Sequence, residues 1–139
     1  MEIEMTINER NLIIILHAFD FLRYEGYDIK DLHLYGRDHY LYYQKKWSNL
    51  RVYLEWAGEN DLEVVISKGW LFFKKEFSLH KAFRMINGSS VEKCENPAIY
   101  VTMQDVAKYH SEFIQQHLMP VICGEMWIDE LLKKKAKSS

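Results

Sequence analysis

The segment Leu50–Trp56, with the sequence LRVYLEW, decides the fold of this chain. Apolar side chains occupy every second position, and the positions between them are Arg51, Tyr53 and Glu55. A strand directs successive side chains to opposite faces of its sheet, so this alternation is typical of a strand that buries one face only. The segment therefore predicts a half-buried β-strand that places Leu50, Val52, Leu54 and Trp56 on one face.

Further strands are predicted on both sides of this segment. The tyrosine-rich run His39–Trp47 lies before it, and the two runs predict an antiparallel hairpin. Leu62–Ser67 predicts a third strand and Trp70–Phe77 a fourth, so a meander of three or four strands is the simplest topology. The stretch Tyr27–Gly36 has no clean period, which predicts an irregular connection.

Helices are predicted at both ends of the sheet. The stretch Thr6-Ile7-Asn8-Glu9 fits a capping box, and apolar residues at helical spacing follow it, so a helix is predicted over residues 7–24. A short helix is predicted over Leu79–Ile86 with Ser78 as its N-cap, and a loop follows at Gly88–Ala98. Thr102 is predicted to cap a further helix that runs to about Leu118, and after an interruption at Pro120 and Gly124 a last helix is predicted around Trp127–Leu132. The expected fold class is α+β: one two-layer domain over residues 1–139, with the N-terminal helix and the C-terminal helices on one face of the antiparallel sheet.

Composition restricts the functional classes. The 139 residues suit one domain, and 18 Lys and Arg against 20 Asp and Glu give a net charge of −2. This near balance argues against a general electrostatic grip on nucleic acid or on an anionic membrane. The longest apolar stretch, Leu12–Leu22, is too short to span a bilayer, and the acidic N-terminus does not resemble a secretory signal. A cytoplasmic protein is expected, with Cys94 and Cys123 as thiols.

Three residues near the C-terminus carry groups that could support chemistry. His110 and His117 share a predicted helix face, and Cys123 follows them. A spacing of seven residues separates two helix ligands by ~10 Å, which is poor for a single metal ion. No metal, cofactor or catalytic residue is therefore predicted. The alternative function is a small enzyme or ligand-binding domain with a pocket between helices and sheet that uses one of these three residues.

Aromatic residues within the predicted sheet are the most informative feature for function. Tyrosine and tryptophan anchor many protein interfaces, and alternation places some of these rings on the sheet face that helices do not cover. A protein partner is therefore expected, and homodimerisation through the same face is a second possibility. The predicted partner-binding residues are Tyr40, Tyr42, Arg51, Tyr53, Glu55 and Trp56.

The order of these segments resembles that of small bacterial α+β proteins that include immunity proteins of polymorphic toxin systems. The resemblance implies a non-enzymatic cytoplasmic protein that neutralises a partner toxin by binding it. The segments that carry the resemblance are Phe19-Asp20-Phe21-Leu22, Gly26-Tyr27, Val52–Glu55, Leu62–Ile66 and Phe77-Ser78-Leu79.

Overall fold

The computed structural model describes residues 6–57, 61–69, 74–89 and 102–137. Within these ranges the chain forms an antiparallel sheet of five strands, arranged in the order β1-β2-β3-β4-β5. The α+β class and the meander are confirmed, but the strand count exceeds the predicted three or four. The strands are β1 Tyr27–His33, β2 His39–Lys45, β3 Arg51–Trp56, β4 Leu62–Lys68 and β5 Lys75–Ser78.

Helices precede and follow the sheet. Three predicted caps are confirmed, since the side-chain oxygens of Thr6, Ser78 and Thr102 each accept a backbone N–H three residues later at 3.2 Å. The helices are α1 Ile7–Ala18, α2 Phe21–Tyr24, α3 Leu79–Ser89, α4 Met103–Phe113, α5 Met119–Ile122 and α6 Ile128–Lys137, with a π-helical segment Ile114–Leu118 between α4 and α5.

The extra strand is β1, so the predicted irregular connection at Tyr27–Gly36 is wrong. β1 is an edge strand, and beyond Tyr27 most of its side chains are exposed. Its pairing with β2 also shifts register between Ile29 and Asp31, which is the mark of a β-bulge. Exposure removes the hydrophobic signal and the bulge breaks the two-residue period, so the sequence pattern conceals this strand.

The predicted single helix over residues 7–24 is interrupted at Phe19 and Asp20. Here Leu22 N–H donates to the Phe19 carbonyl at 3.1 Å and Arg23 N–H to the Asp20 carbonyl at 3.0 Å. This three-residue spacing is that of a tightened helical turn. Phe19 and Leu22 are both fully buried, so the apolar spacing continues through the break and does not reveal it.

Pro120 lies inside helical structure, although the sequence predicted an interruption there. Proline lacks an N–H donor and its ring clashes with the carbonyl four residues earlier in an α-helix. The π-helical turn Ile114–Leu118 directly precedes α5 and widens the backbone at this position. The helix continues to Ile122, and Gly124 follows it with a φ of +79°.

One face of the sheet is buried and the other is not. Burial alternates strictly along β3, where Val52, Leu54 and Trp56 are buried and the residues between them are half-buried. The buried face belongs to a core that also includes side chains of the helices. We call the opposite side the outer face. Trp70, Cys94 and most of the predicted loop at Gly88–Ala98 lie outside the described residues.

Candidate protein-binding face

Strand register brings four aromatic side chains together on the outer face. Tyr42 in β2 lies directly opposite Tyr53 in β3, and Tyr40 lies opposite His33 in β1. Directly opposite residues in antiparallel strands present their side chains on the same face. We call His33, Tyr40, Tyr42 and Tyr53 the tyrosine face. All four side chains are half-buried, so part of each ring remains in contact with solvent.

The rings of the tyrosine face form a continuous series of contacts. The His33 and Tyr40 rings are stacked, with centroids 5.2 Å apart and planes 11° apart. The Tyr40 and Tyr53 centroids are 5.4 Å apart, and those of Tyr53 and Tyr42 are 6.3 Å apart. Tyr35, which is 79% exposed, adds an edge contact to His33. Rings held against one another lose little freedom on binding, which favours their use as interface anchors.

Carboxylates orient two of the tyrosine hydroxyls. Tyr40 OH donates to Asp31 Oδ2 at 2.9 Å, and this hydrogen bond raises the pKa of Tyr40. Partial burial raises the pKa of Tyr53 to about 12, and Glu55 adds to this effect by its charge and by a hydrogen bond. Both hydroxyls therefore stay protonated at neutral pH.

Negative charge is concentrated on the outer face. Following the strand register from β1 to β5, five carboxylates lie at outward positions. Arg51 is the one Arg or Lys at a paired outward position of the described strands, and Glu76 forms an ion pair with Lys74, with 3.4 Å between Oε2 and Nζ. Glu55 lies directly opposite Glu63, and like charges in such a pair are destabilising. Neither of these two residues forms an ion pair with another described residue. The five carboxylates are Asp28, Asp31, Glu55, Glu63 and Glu76.

Arg51 is half-buried at one side of this surface, opposite Gln44 and Ser67. Its Nε atom is buried and has no hydrogen-bond partner among the described residues. Arg51 forms no ion pair with a described carboxylate, so the carboxylates of the outer face are not paired with it.

The structure corrects one of the six predicted binding residues. Trp56 is 1% exposed and belongs to the core, where its ring lies 5.9 Å from the ring of His39. It cannot contact a partner, because the alternation that exposes Tyr53 turns Trp56 inward. The other five predicted residues, namely Tyr40, Tyr42, Arg51, Tyr53 and Glu55, lie together on the outer face.

Sequence reasoning missed the contribution of β1 to this surface. His33 and Asp31 contact Tyr40 directly, yet they lie in the stretch that was predicted to be irregular. One signal was present: Asp31, Leu32 and His33 alternate in polarity immediately before the turn at Gly36.

The two histidines of the alternative hypothesis have different surroundings. The Nδ1 atom of buried His110 lies 2.6 Å from the Val106 carbonyl and donates to it, and burial lowers the pKa of His110 to about 4. His117 lies further along the helix, with its Nδ1 atom 3.5 Å from Lys135 Nζ. Neither arrangement resembles a pair of ligands that converge on one ion.

Cys123 lies in a third environment. Its Sγ donates to Glu25 Oε2 at 3.2 Å, and partial burial together with this carboxylate raises the pKa of the thiol to about 11. A thiol that stays protonated is a poor nucleophile. Three surface cavities of about 490, 330 and 450 Å³ have linings that include neither Cys123 nor either histidine. Over the described ranges, no group of three or more His, Cys, Asp or Glu side chains could hold a metal ion.

Comparisons with known proteins do not assign the chain to a group. No protein-family model, no curated protein and no solved structure matches it. In the part of the chain that the structure describes, no helix combines the length and the apolar character needed to cross a membrane.

Proposed function

We propose that this chain is a non-enzymatic protein-binding module that acts as an immunity protein, neutralising a partner toxin by covering part of its surface. The observation that carries the proposal is the tyrosine face, where four mutually contacting rings lie on the side of the sheet opposite the core. Aromatic side chains with hydroxyl groups at their edges are enriched at protein interfaces.

Rigidity supports a binding role for this surface. Tyr40, Tyr42 and Tyr53 lie on the two adjoining strands β2 and β3, whose pairing has no register shift over six residue pairs. Strands of a packed sheet hold side chains more precisely than loops do, which reduces the entropy lost on binding. Steric occlusion needs no catalytic group, and a stable complex would bury at least ~1,200 Å² in total.

A capture experiment tests the proposal. The tagged chain is used to isolate partners from the cells that produce it, in parallel with a Tyr42→Ala, Tyr53→Ala variant. The matched control is Tyr24→Ala, Trp47→Ala, which removes two aromatic rings that are 85% and 95% exposed outside the tyrosine face. Thermal unfolding of each variant verifies that it is folded.

The expected result is one stoichiometric protein that binds the wild type and the control but not the Tyr42→Ala, Tyr53→Ala variant. That protein should arrest growth when expressed alone and lose this effect on co-expression with the chain. Retention of the partner by the Tyr42→Ala, Tyr53→Ala variant would contradict the use of the tyrosine face, and a harmless partner would contradict the immunity role.

A further inference from the structure

We infer that the partner presents a cationic surface whose arginine side chains stack on the tyrosine face and pair with the carboxylates around it. This inference rests on the proposed function and adds the chemistry of the partner. The whole chain has a net charge of only −2, so composition does not point to a cationic partner. The carboxylates are distributed unevenly, however, and the outer face places Asp31, Glu55 and Glu63 around the tyrosine face.

Charge complementarity is the first argument for a cationic partner. Glu55 and Glu63 lie directly opposite each other, one pair before the end of the β3–β4 ladder, and neither forms an ion pair with a described residue. Protein interfaces usually place a positive surface against a negative one, and like charges facing each other across an interface weaken the binding of other partners. An anionic or neutral partner would leave this pair uncompensated on docking, whereas a cationic partner would neutralise it.

The placement of rings beside carboxylates is the second argument, and it favours arginine over lysine. Tyr40 lies opposite Glu55 across the strand pair and donates its hydroxyl hydrogen to Asp31, so a carboxylate flanks the ring on either side. A planar guanidinium can stack on such a ring while its N–H groups bind a carboxylate in bidentate fashion. His33 already stacks on one side of the Tyr40 ring, so the partner's guanidinium would stack on the solvent-exposed part of the ring series Tyr40, Tyr53 and Tyr42.

Labelled arginine, lysine and glutamate octapeptides test the inference without the natural partner. Their dissociation constants are measured by fluorescence anisotropy, and backbone NMR shifts identify the residues affected. The arginine peptide should bind at least about threefold more tightly than the lysine peptide, should perturb Tyr40 and Tyr53, and should lose at least about fivefold in affinity between about 50 and 200 mM salt. The glutamate peptide should not bind.

Charge-neutralising variants separate the outer face from the rest of the surface. A Glu55→Gln, Glu63→Gln variant should weaken arginine-peptide binding about tenfold. The control Glu112→Gln, Glu130→Gln removes the same charge from exposed positions on α4 and α6 and should change binding less than about twofold. Equal binding of the lysine and arginine peptides, or equal effects of the two variants, would overturn the inference.

The two proposals can fail separately. If a protein partner is captured through the tyrosine face but its affinity is the same for the Glu55→Gln, Glu63→Gln variant as for the wild type, the binding function stands and the cationic partner is excluded. If no protein partner is captured but the arginine peptide binds as expected, the preference for guanidinium groups stands and the immunity function is excluded.

Discussion

Two buried tyrosines allow the same substitution to be compared at a site where the hydroxyl is hydrogen-bonded and at a site where it is not. Tyr27 is 1% exposed, and its hydroxyl donates to the Ile122 carbonyl at 2.9 Å, which ties β1 to the last turn of α5. Tyr43 is fully buried, and its hydroxyl has no hydrogen-bond partner among the described residues. Replacement by phenylalanine removes the same oxygen atom from each site. Tyr27→Phe should therefore lower the stability of the fold, and Tyr43→Phe should not.

The magnitudes follow from what each hydroxyl does. Tyr27→Phe loses a buried hydrogen bond and leaves the Ile122 carbonyl, which lies at a helix end without an intrahelical donor, unpaired. Together these effects should lower the free energy of unfolding by about 1–3 kcal/mol. Tyr43→Phe removes a hydroxyl whose desolvation is not compensated, so it should leave stability unchanged or raise it by up to about 1 kcal/mol.

Urea unfolding followed by tryptophan fluorescence measures both effects. With a slope of about 2 kcal/mol per M for a domain of this size, the midpoints of the two variants should differ by about 1 M urea. A destabilisation of Tyr43→Phe equal to that of Tyr27→Phe would refute the reasoning, because it would mean that the Tyr43 hydroxyl is hydrogen-bonded. The free energy of unfolding must depend on urea concentration with the same slope in both variants, because only then do the midpoints refer to the same unfolding reaction.

The dependence of stability on alkaline pH provides a second test of the Tyr43 environment. Burial raises the pKa of Tyr43 to about 12, against an ordinary value of 10.0. A group with a raised pKa contributes stability that is fully present below pH 10 and is lost as the pH rises through about 12. Tyr43→Phe should therefore lose less stability than the wild type between these two pH values.

Three further predictions test other parts of the fold. Burial lowers the pKa of His110 to about 4, so the folded state favours the neutral imidazole. The free energy of unfolding should therefore be highest above about pH 6.5 and should fall by up to about 3 kcal/mol as the pH is lowered to 4. Urea unfolding of His110→Gln should not show this fall. Thr102→Ala should lower the free energy of unfolding by about 1 kcal/mol and Thr102→Ser by much less, since serine keeps the helix cap. Gly124→Ala should lower the thermal unfolding temperature more than Gly36→Ala does. Both glycines have a positive φ, but only at Gly124 would the added Cβ contact another side chain, at 3.2 Å from Leu50 Cδ1.

Much of the candidate site could be predicted from one segment. The alternation in Leu50–Trp56 correctly assigned Tyr53 and Glu55 to the side opposite the core. The same alternation assigned Trp56 to the apolar side, so its inclusion among the binding residues contradicted the pattern itself. Residue type suggested an interface anchor, but position in the strand decided burial.

Strand β1 could not be predicted, and for a physical reason. An edge strand needs only one hydrogen-bonded neighbour, so its side chains can remain largely exposed, and the bulge at Ile29–Asp31 disturbs the remaining alternation. The contribution of His33 to the tyrosine face was missed for the same reason. The break in the predicted helix over residues 7–24 was missed because a tightened turn preserves the apolar spacing.

The amino-acid sequence by itself determined the class of the fold, the helix caps and the side of β3 that faces the core, because these depend on interactions between residues close in the chain. Only the tertiary structure decided which strands are neighbours. Register placed Glu55 beside Glu63 and His33 beside Tyr40, and so turned a nearly neutral chain into one with an acidic, aromatic face. Pairing between strands depends on contacts distant in sequence, which no local pattern specifies.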